Sequence, residues 1–322
     1  MDRRSATGIA LVLASAAGFG SGALFAQPVY QAGVGWLVLS AWRFMFGAGL
    51  TWGWLLISAE RRRGLLTLDR AAVVAGLALG VLFVGNSGAY YAGLETVSPS
   101  LAALIVYCYP AIVAVLSLRI GRRLQGRRAW LALAIAIVGV TLAIGGIDPK
   151  EAPPPSGLIL CLASAVIYAV WIVLSARLSG ERQETLAVAA DRGPSASAAA
   201  ALMLTATATV YWFAALATGQ PVLPGEVPGQ AWVGLFGIGV VGTFIAIQAF
   251  YAGARRIGAA QGALIATMEP IWTITLAGLV FGIALTPVQL VGGVLIIVGV
   301  LVAQTGPEAD RAPQPAIRVA DE

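Results

Sequence analysis

Long apolar runs separated by short polar loops set the rhythm of this chain. The runs cover about residues 7–26, 36–58, 71–92, 98–118, 129–147, 157–177, 197–218, 231–252, 258–282 and 287–304. Most reach the ~20 residues that a helix needs to cross a ~30 Å hydrocarbon core. The pattern predicts an all-α polytopic membrane protein of ten transmembrane helices, numbered here as spans 1–10. The opening Met1-Asp2-Arg3-Arg4 before an apolar run resembles a signal peptide, but the similar runs that follow make it a first span. Gly18, Gly20 and Gly22 echo a dinucleotide-binding turn without the strand such a turn needs; Gly18 and Gly22 instead form a small-xxx-small pair for close helix approach.

Composition agrees with the runs and removes several chemistries. Hydrophobic residues make up 59% of the 322, charged residues 11%, and mean hydropathy is +0.86, more apolar surface than a soluble core can absorb. There is no histidine, which excludes His-based triads and the usual zinc sites. Lys150 is the only lysine and no P-loop is present, so the chain does not supply its own ATP site. Cys108 and Cys161 both lie inside apolar runs, against a disulfide framework. No cofactor and no metal site are expected.

Charge then sets orientation. Of the 20 basic residues, 18 fall at the termini or in the loops after even-numbered spans, Arg61-Arg62-Arg63 and Arg255-Arg256 among them. The positive-inside rule places both termini in the cytoplasm. The same asymmetry explains the excess of basic over acidic residues better than nucleic-acid binding does, so the expected partners are the lipid bilayer and a small molecule.

A repeat divides the chain. Tyr91, Gly93, Leu104, Ile105 and Pro110 return 160 residues later as Tyr251, Gly253, Leu264, Ile265 and Pro270. Ile137-Val138-Gly139-Val140 returns as Ile297-Val298-Gly299-Val300, and Leu13-Ala14-Ser15-Ala16 resembles Leu162-Ala163-Ser164-Ala165. The expected organisation is one five-helix half over 1–147, a polar proline-rich linker over 148–156, a second half over 157–304 and a disordered cytoplasmic tail over 305–322. Five is odd, so the two halves insert upside down relative to one another.

One stretch carries candidate chemistry: Ala266-Thr267-Met268-Glu269-Pro270-Ile271-Trp272. Glu269 falls roughly 16 Å from the start of span 9, near mid-bilayer, where a carboxylate is costly and by default faces a bundle interior or a wet cavity. Pro270 removes one backbone donor and frees a carbonyl one turn back. The repeat aligns Tyr109-Pro110 of span 4 with Glu269-Pro270, so Pro110 and Pro270 are candidate hinges at one depth. A buried structural carboxyl is the bland alternative for Glu269.

Other candidates carry alternatives of their own. Arg43 either snorkels to the outer interface or turns inward to meet Glu269 or a substrate carboxylate. Asn86 and Tyr90 share one face of span 3, and Ser164, Tyr168, Trp171 and Ser175 one face of span 6; either stripe is cavity lining or glue between helices. Gln248 and Trp272 are similar candidates. Tyr107 and Tyr109, two apart, do not share a face of a regular helix, and the repeat favours Tyr109. Trp36, Trp130 and Trp232, near span ends, are expected interfacial anchors.

Ala41-Trp42-Arg43-Phe44, the closing Leu285-Thr286-Pro287-Val288-Gln289-Leu290-Val291-Gly292-Gly293 and Ile297-Val298-Gly299-Val300 together resemble the EamA-type branch of the drug/metabolite transporter superfamily over about residues 7–304. The resemblance implies an inner-membrane exporter of amino acids, related metabolites or toxic organic compounds, with a cavity between the repeats. Members often carry Gly-Glu after spans 4 and 9, where this chain has Gly121-Arg122 and Gly282-Ile283. Residues and resemblance together predict a secondary transporter, not an enzyme, that works by alternating access with protons or exchanged solute as the driving force. A membrane scaffold or sensor and a membrane-embedded enzyme are the rival classes.

Overall fold

Caps and breakers in the sequence decide where each helix starts and stops. The computed structural model describes residues 3–66, 68–120, 126–146, 152–178, 194–257, 262, 265–283 and 285–304. The first helix, α1 (Arg3–Gln31), carries Pro28 in its last turn. After Gly33, at φ +79°, α2 (Trp36–Ile57) begins with a cap from another element: the Glu95 carboxylate accepts the Trp36 backbone N–H at 2.6 Å. A short basic helix, α3 (Ala59–Leu66), precedes α4 (Arg70–Leu94), whose N-cap Asp69 accepts from the Ala72 N–H at 2.7 Å.

Span 4, expected as one helix, is two. Ser98 caps α5 (Pro99–Val106), Tyr107 and Cys108 form a turn, and α6 (Tyr109–Ile120) restarts with Pro110 in its first turn. Proline fits there because first-turn N–H groups have no intrahelical acceptor to lose. Next come α7 (Gly126–Gly145), α8 (Pro155–Leu178) and α9 (Pro194–Ala217).

Span 8 is interrupted as well. It runs as α10 (Ala231–Gly239), a π-helical turn over Val240–Ile245, and α11 (Ala246–Ile257). Span 9 also breaks: Thr267, at φ −64° and ψ −7°, precedes α12 (Met268–Phe281), so Glu269 and Pro270 lie in a first turn and not in mid-helix. Tyr107, the repeat equivalent of Thr267, has nearly the same backbone, φ −71° and ψ 3°. Gly282, at φ +66°, ends α12, and α13 (Pro287–Gln304) closes the described chain.

Every regular element among the described residues is helical. Six helices or joined helix segments are long and apolar enough to cross a membrane: Arg4–Gln31, Arg70–Leu94, Pro99–Leu116, Pro155–Leu174, Ser197–Ala217 and Ala231–Ile257. Shorter apolar helices cover Trp130–Ile144, Met268–Phe281 and Pro287–Val302. This is a polytopic membrane protein. Of the linker expected over 148–156, residues 148–151 lie outside the described residues and its end already belongs to α8, which starts at Pro155; residue 147, the loop 179–193 and the tail 305–322 also lie outside them.

Packing respects the repeat. The principal pairs are α7 with α13, α2 with α9, α1 with α11 and α12, α8 with α4 and α6, and α4 with α9, whose counterpart is α2 with the segments of span 8. Exchanging the two halves maps this set onto itself. The Ser15 hydroxyl of α1 donates to the Ala246 carbonyl of α11 at 2.7 Å; the Ser164 hydroxyl of α8 donates to Asn86 Oδ1 of α4 at 2.9 Å. Asn86 and Ala246 are 160 residues apart, as Tyr91 and Tyr251 are.

Candidate functional site

The break before α12 leaves a backbone acceptor, and the other half of the chain supplies its donor. Pro270 has no N–H, so the Ala266 carbonyl, four residues back, lacks its helical partner. The Tyr107 hydroxyl donates to it at 2.7 Å. Tyr107 itself occupies the equivalent break between α5 and α6, so each broken helix touches the other at its irregular point. Unpaired backbone groups cost several kcal/mol in an apolar medium, on the order of what one good hydrogen bond recovers there.

Glu269 stands beside this contact, half-buried, in the first turn of α12. Its charge reaches Tyr90 of α4, Tyr107 and Tyr109 at the span 4 break, and Tyr168 of α8. The phenol rings form a continuous wall: Tyr107 meets Tyr109 edge-on at 5.6 Å, Tyr109 meets Tyr168 at 4.6 Å, and Tyr168 stacks on Trp171 at 5.9 Å. Tyr90 stands edge-on to Tyr91 at 5.1 Å.

Arg43 turns inward. Its Nε donates to Thr243 Oγ1 at 2.9 Å and its Nη2 to the Gly242 carbonyl at 3.4 Å, both in the π turn of span 8. The guanidinium carbon lies 4.7 Å from the Tyr91 ring centre and 4.9 Å from that of Phe44. The Thr243 hydroxyl donates in turn to the Ile238 carbonyl, five residues back, which fastens the wide turn. Arg43 also lies close enough to Glu269 for each charge to act on the other.

The remaining candidates sit elsewhere. Asn86 is buried and bonded to Ser164; the Trp171 indole donates to the Leu79 carbonyl at 2.9 Å. Both join α4 to α8. Gln248 Oε1 accepts from Ser197 of α9 at 2.9 Å. The half-exposed Trp272 indole donates to Ser21 of α1 at 3.3 Å. Ser175 lies among residues whose side chains are not described. Of the expected anchors, Trp130 is exposed, but Trp232 packs against Trp42 at 4.6 Å and Trp36 against Tyr211 at 6.3 Å.

The sequence pattern favours Tyr109 over Tyr107, marks Tyr91 only as a repeat position, and gives Thr243 no role. The two-apart rule for Tyr107 and Tyr109 assumes a regular helix, and the chain breaks between them. The available signal was Pro110, which could have warned that the face rule fails there. Thr243 has no comparable signal, because a π turn adds one residue without a distinctive composition.

Two packed halves of apolar helices, with breaks in spans 4, 8 and 9 beside Glu269, mark a multi-pass membrane protein, and sequence comparison identifies its kind. The model of the EamA-like transporter family matches residues 6–145 and again 155–305, and the chain belongs to this family. It is 26% identical over 227 residues to an uncharacterized transporter of Archaeoglobus fulgidus, covering 70% of this chain and 75% of that one. It is 24% identical over 268 residues to the uncharacterized transporter YyaM of Bacillus subtilis, covering 82% and 83%. A solved crystal structure shares the fold at TM-score 0.57 and 20% identity, covering 92% of this chain and 96% of that one.

Proposed function

We propose that this transporter is a secondary active exporter of small amphipathic metabolites, amino acids or related organic cations, across the inner (cytoplasmic) membrane. Ten spans form two inverted five-helix halves with both termini in the cytoplasm, and the halves rock around a shared site to give alternating access. The observation that carries this reading is the contact of Tyr107 with the Ala266 carbonyl beside Glu269, where two broken helices meet. Irregular backbone at membrane depth is tolerated where it is enclosed by protein or lines a cavity. The phenol wall offers flat apolar and cation–π surface, Glu269 one negative charge, and a proton or exchanged solute the driving force. Pro110 and Pro270 let the half-helices tilt as access changes.

A thermal-shift screen of the purified protein against metabolites finds ligands, because binding stabilises the folded state by mass action. Flux in sealed proteoliposomes, with and without a proton gradient, then tests the reading. A stabilising ligand should move across the membrane, uphill when the gradient is present. A ligand that binds and never crosses makes the protein a sensor instead.

A further inference from the structure

The π turn of span 8 holds an intramembrane guanidinium without giving it a counter-ion. Arg43 is half-buried on α2, and its hydrogen-bonded acceptors there, the Thr243 hydroxyl and the Gly242 carbonyl, are neutral. Among the described residues no carboxylate pairs with it. Two aromatic rings, Tyr91 and Phe44, share its charge, and Arg43 also donates to the Tyr91 phenol, so every partner it has is neutral and the compensation is partial. A purely structural arginine at this depth is expected to pair with an acid, since an uncompensated charge is costly in a bilayer. Glu269 is in electrostatic reach yet not bonded to it.

We propose that Arg43 is the anion subsite of the transport cavity and takes a carboxylate of the cargo. The planar guanidinium fork matches a carboxylate with two parallel N–H···O bonds, which an amide or an alcohol cannot replace. Nε is committed to Thr243, so a cargo carboxylate would take the terminal nitrogens, exchanging their neutral contacts, the long 3.4 Å one to Gly242 and the one to the Tyr91 phenol, for charged ones. With Glu269 taking the cationic end, the site selects bipolar molecules over simple amines. The proposal rests on the transport reading only in calling the anion cargo; the subsite itself stands on the geometry of Arg43.

Arginine modification by phenylglyoxal, followed peptide by peptide with mass spectrometry on the purified full chain, tests it. The probes are L-phenylalanine, its amide, and 3-phenylpropionate, at matched concentrations. The expected result is that the peptide carrying Arg43 is modified without a probe and protected by one or both carboxylates but not by the amide. Binding measured by tryptophan fluorescence should favour the acid over the amide by about tenfold or more, a preference lost in Arg43→Gln and partly kept in Arg43→Lys. An Arg43 that is inert to the reagent, protected equally by the amide, or protected by neither carboxylate overturns the proposal, whether or not the variants fold. If protection is found but no carboxylate crosses a proteoliposome membrane, the transport reading fails and the subsite stands. If other solutes cross and no protection is seen, the subsite alone fails.

Discussion

The Tyr107 hydroxyl and the Ala266 carbonyl, 159 residues apart, are joined by a 2.7 Å hydrogen bond. The bond exists because Pro270 leaves that carbonyl without its helical donor, so a single proline in one half creates a requirement met by a phenol of the other. Removing the phenol should leave an orphaned acceptor in an enclosed place. Tyr107→Phe is expected to destabilise the protein by about 1–3 kcal/mol. In a Pro270→Ala background the residue 270 N–H can satisfy Ala266, and the same substitution should cost less than half as much. Thermal unfolding of the four proteins of this cycle measures the coupling; equal costs in both backgrounds would mean that the proline and the phenol act independently.

The symmetric seam between α7 and α13 gives a second expectation. A Cβ on Gly139 would fall 2.7 Å from the Gly292 carbonyl oxygen, and one on Gly299 would fall 2.9 Å from that of Ala132. Residues 139 and 299, like 132 and 292, are repeat equivalents, so both glycines permit the same close approach. Gly139→Val and Gly299→Val should each cost about 1–3 kcal/mol through backbone displacement. Gly49 of α2 has open space around it, and Gly49→Val should stay within about 0.5 kcal/mol of the parent. Thermal midpoints of the three variants check this, and a Gly49 variant as damaged as the others removes the packing explanation.

These examples show which parts of the molecule were readable in advance. Pro270 announced a freed carbonyl, because the missing N–H is a local property of one residue. Its donor was not readable, because a partner 159 residues away leaves no local trace. The serine motif shared by spans 1 and 6 did foreshadow equivalent contacts, Ser15 to Ala246 and Ser164 to Asn86. Periodicity put Asn86 and Trp171 on polar stripes, but a stripe specifies a face and not what that face meets. Both side chains bond to neighbouring helices, as glue does. For Arg43 the sequence left inward and outward orientations open, since the choice depends on a π turn two hundred residues later that apolar composition conceals.

Orientation can be tested independently of any transport assay. With 18 of 20 basic residues assigned to one face, reporters active only outside the cytoplasm should be silent when fused at Arg62, Arg127 and Glu322. They should be active near Glu95 and Glu226. A strong external signal at Arg127 removes both the topology and the inverted arrangement of the halves.

Hinge action at the two breaks predicts a kinetic effect rather than a folding one. Pro110→Ala and Pro270→Ala should each insert normally and slow transport, because a restored backbone bond stiffens the joint. Parental rates in both variants would leave the prolines as tolerated breaks with no part in the cycle.

If the proposed antiport reading holds, Glu269 is the residue that couples it. It is half-buried in the first turn of α12 and acts electrostatically on phenols from three other helices. A carboxyl so placed can hold either a proton or the cationic end of a cargo, and competition between the two is the simplest form of antiport. Glu269→Gln keeps the size and removes the titration. The variant should insert and fold, lose proton-driven accumulation, and retain downhill exchange of a zwitterionic or neutral cargo, which needs binding without coupling. Glu269→Asp keeps the charge on a shorter stem, so partial uphill transport with an altered pH profile is expected. Proteoliposome uptake measured against an imposed pH gradient separates these outcomes. A well-folded Gln variant with full, gradient-dependent accumulation would falsify the coupling role, and Glu269 would then be a structural acid beside a cavity whose charge selectivity rests on Arg43.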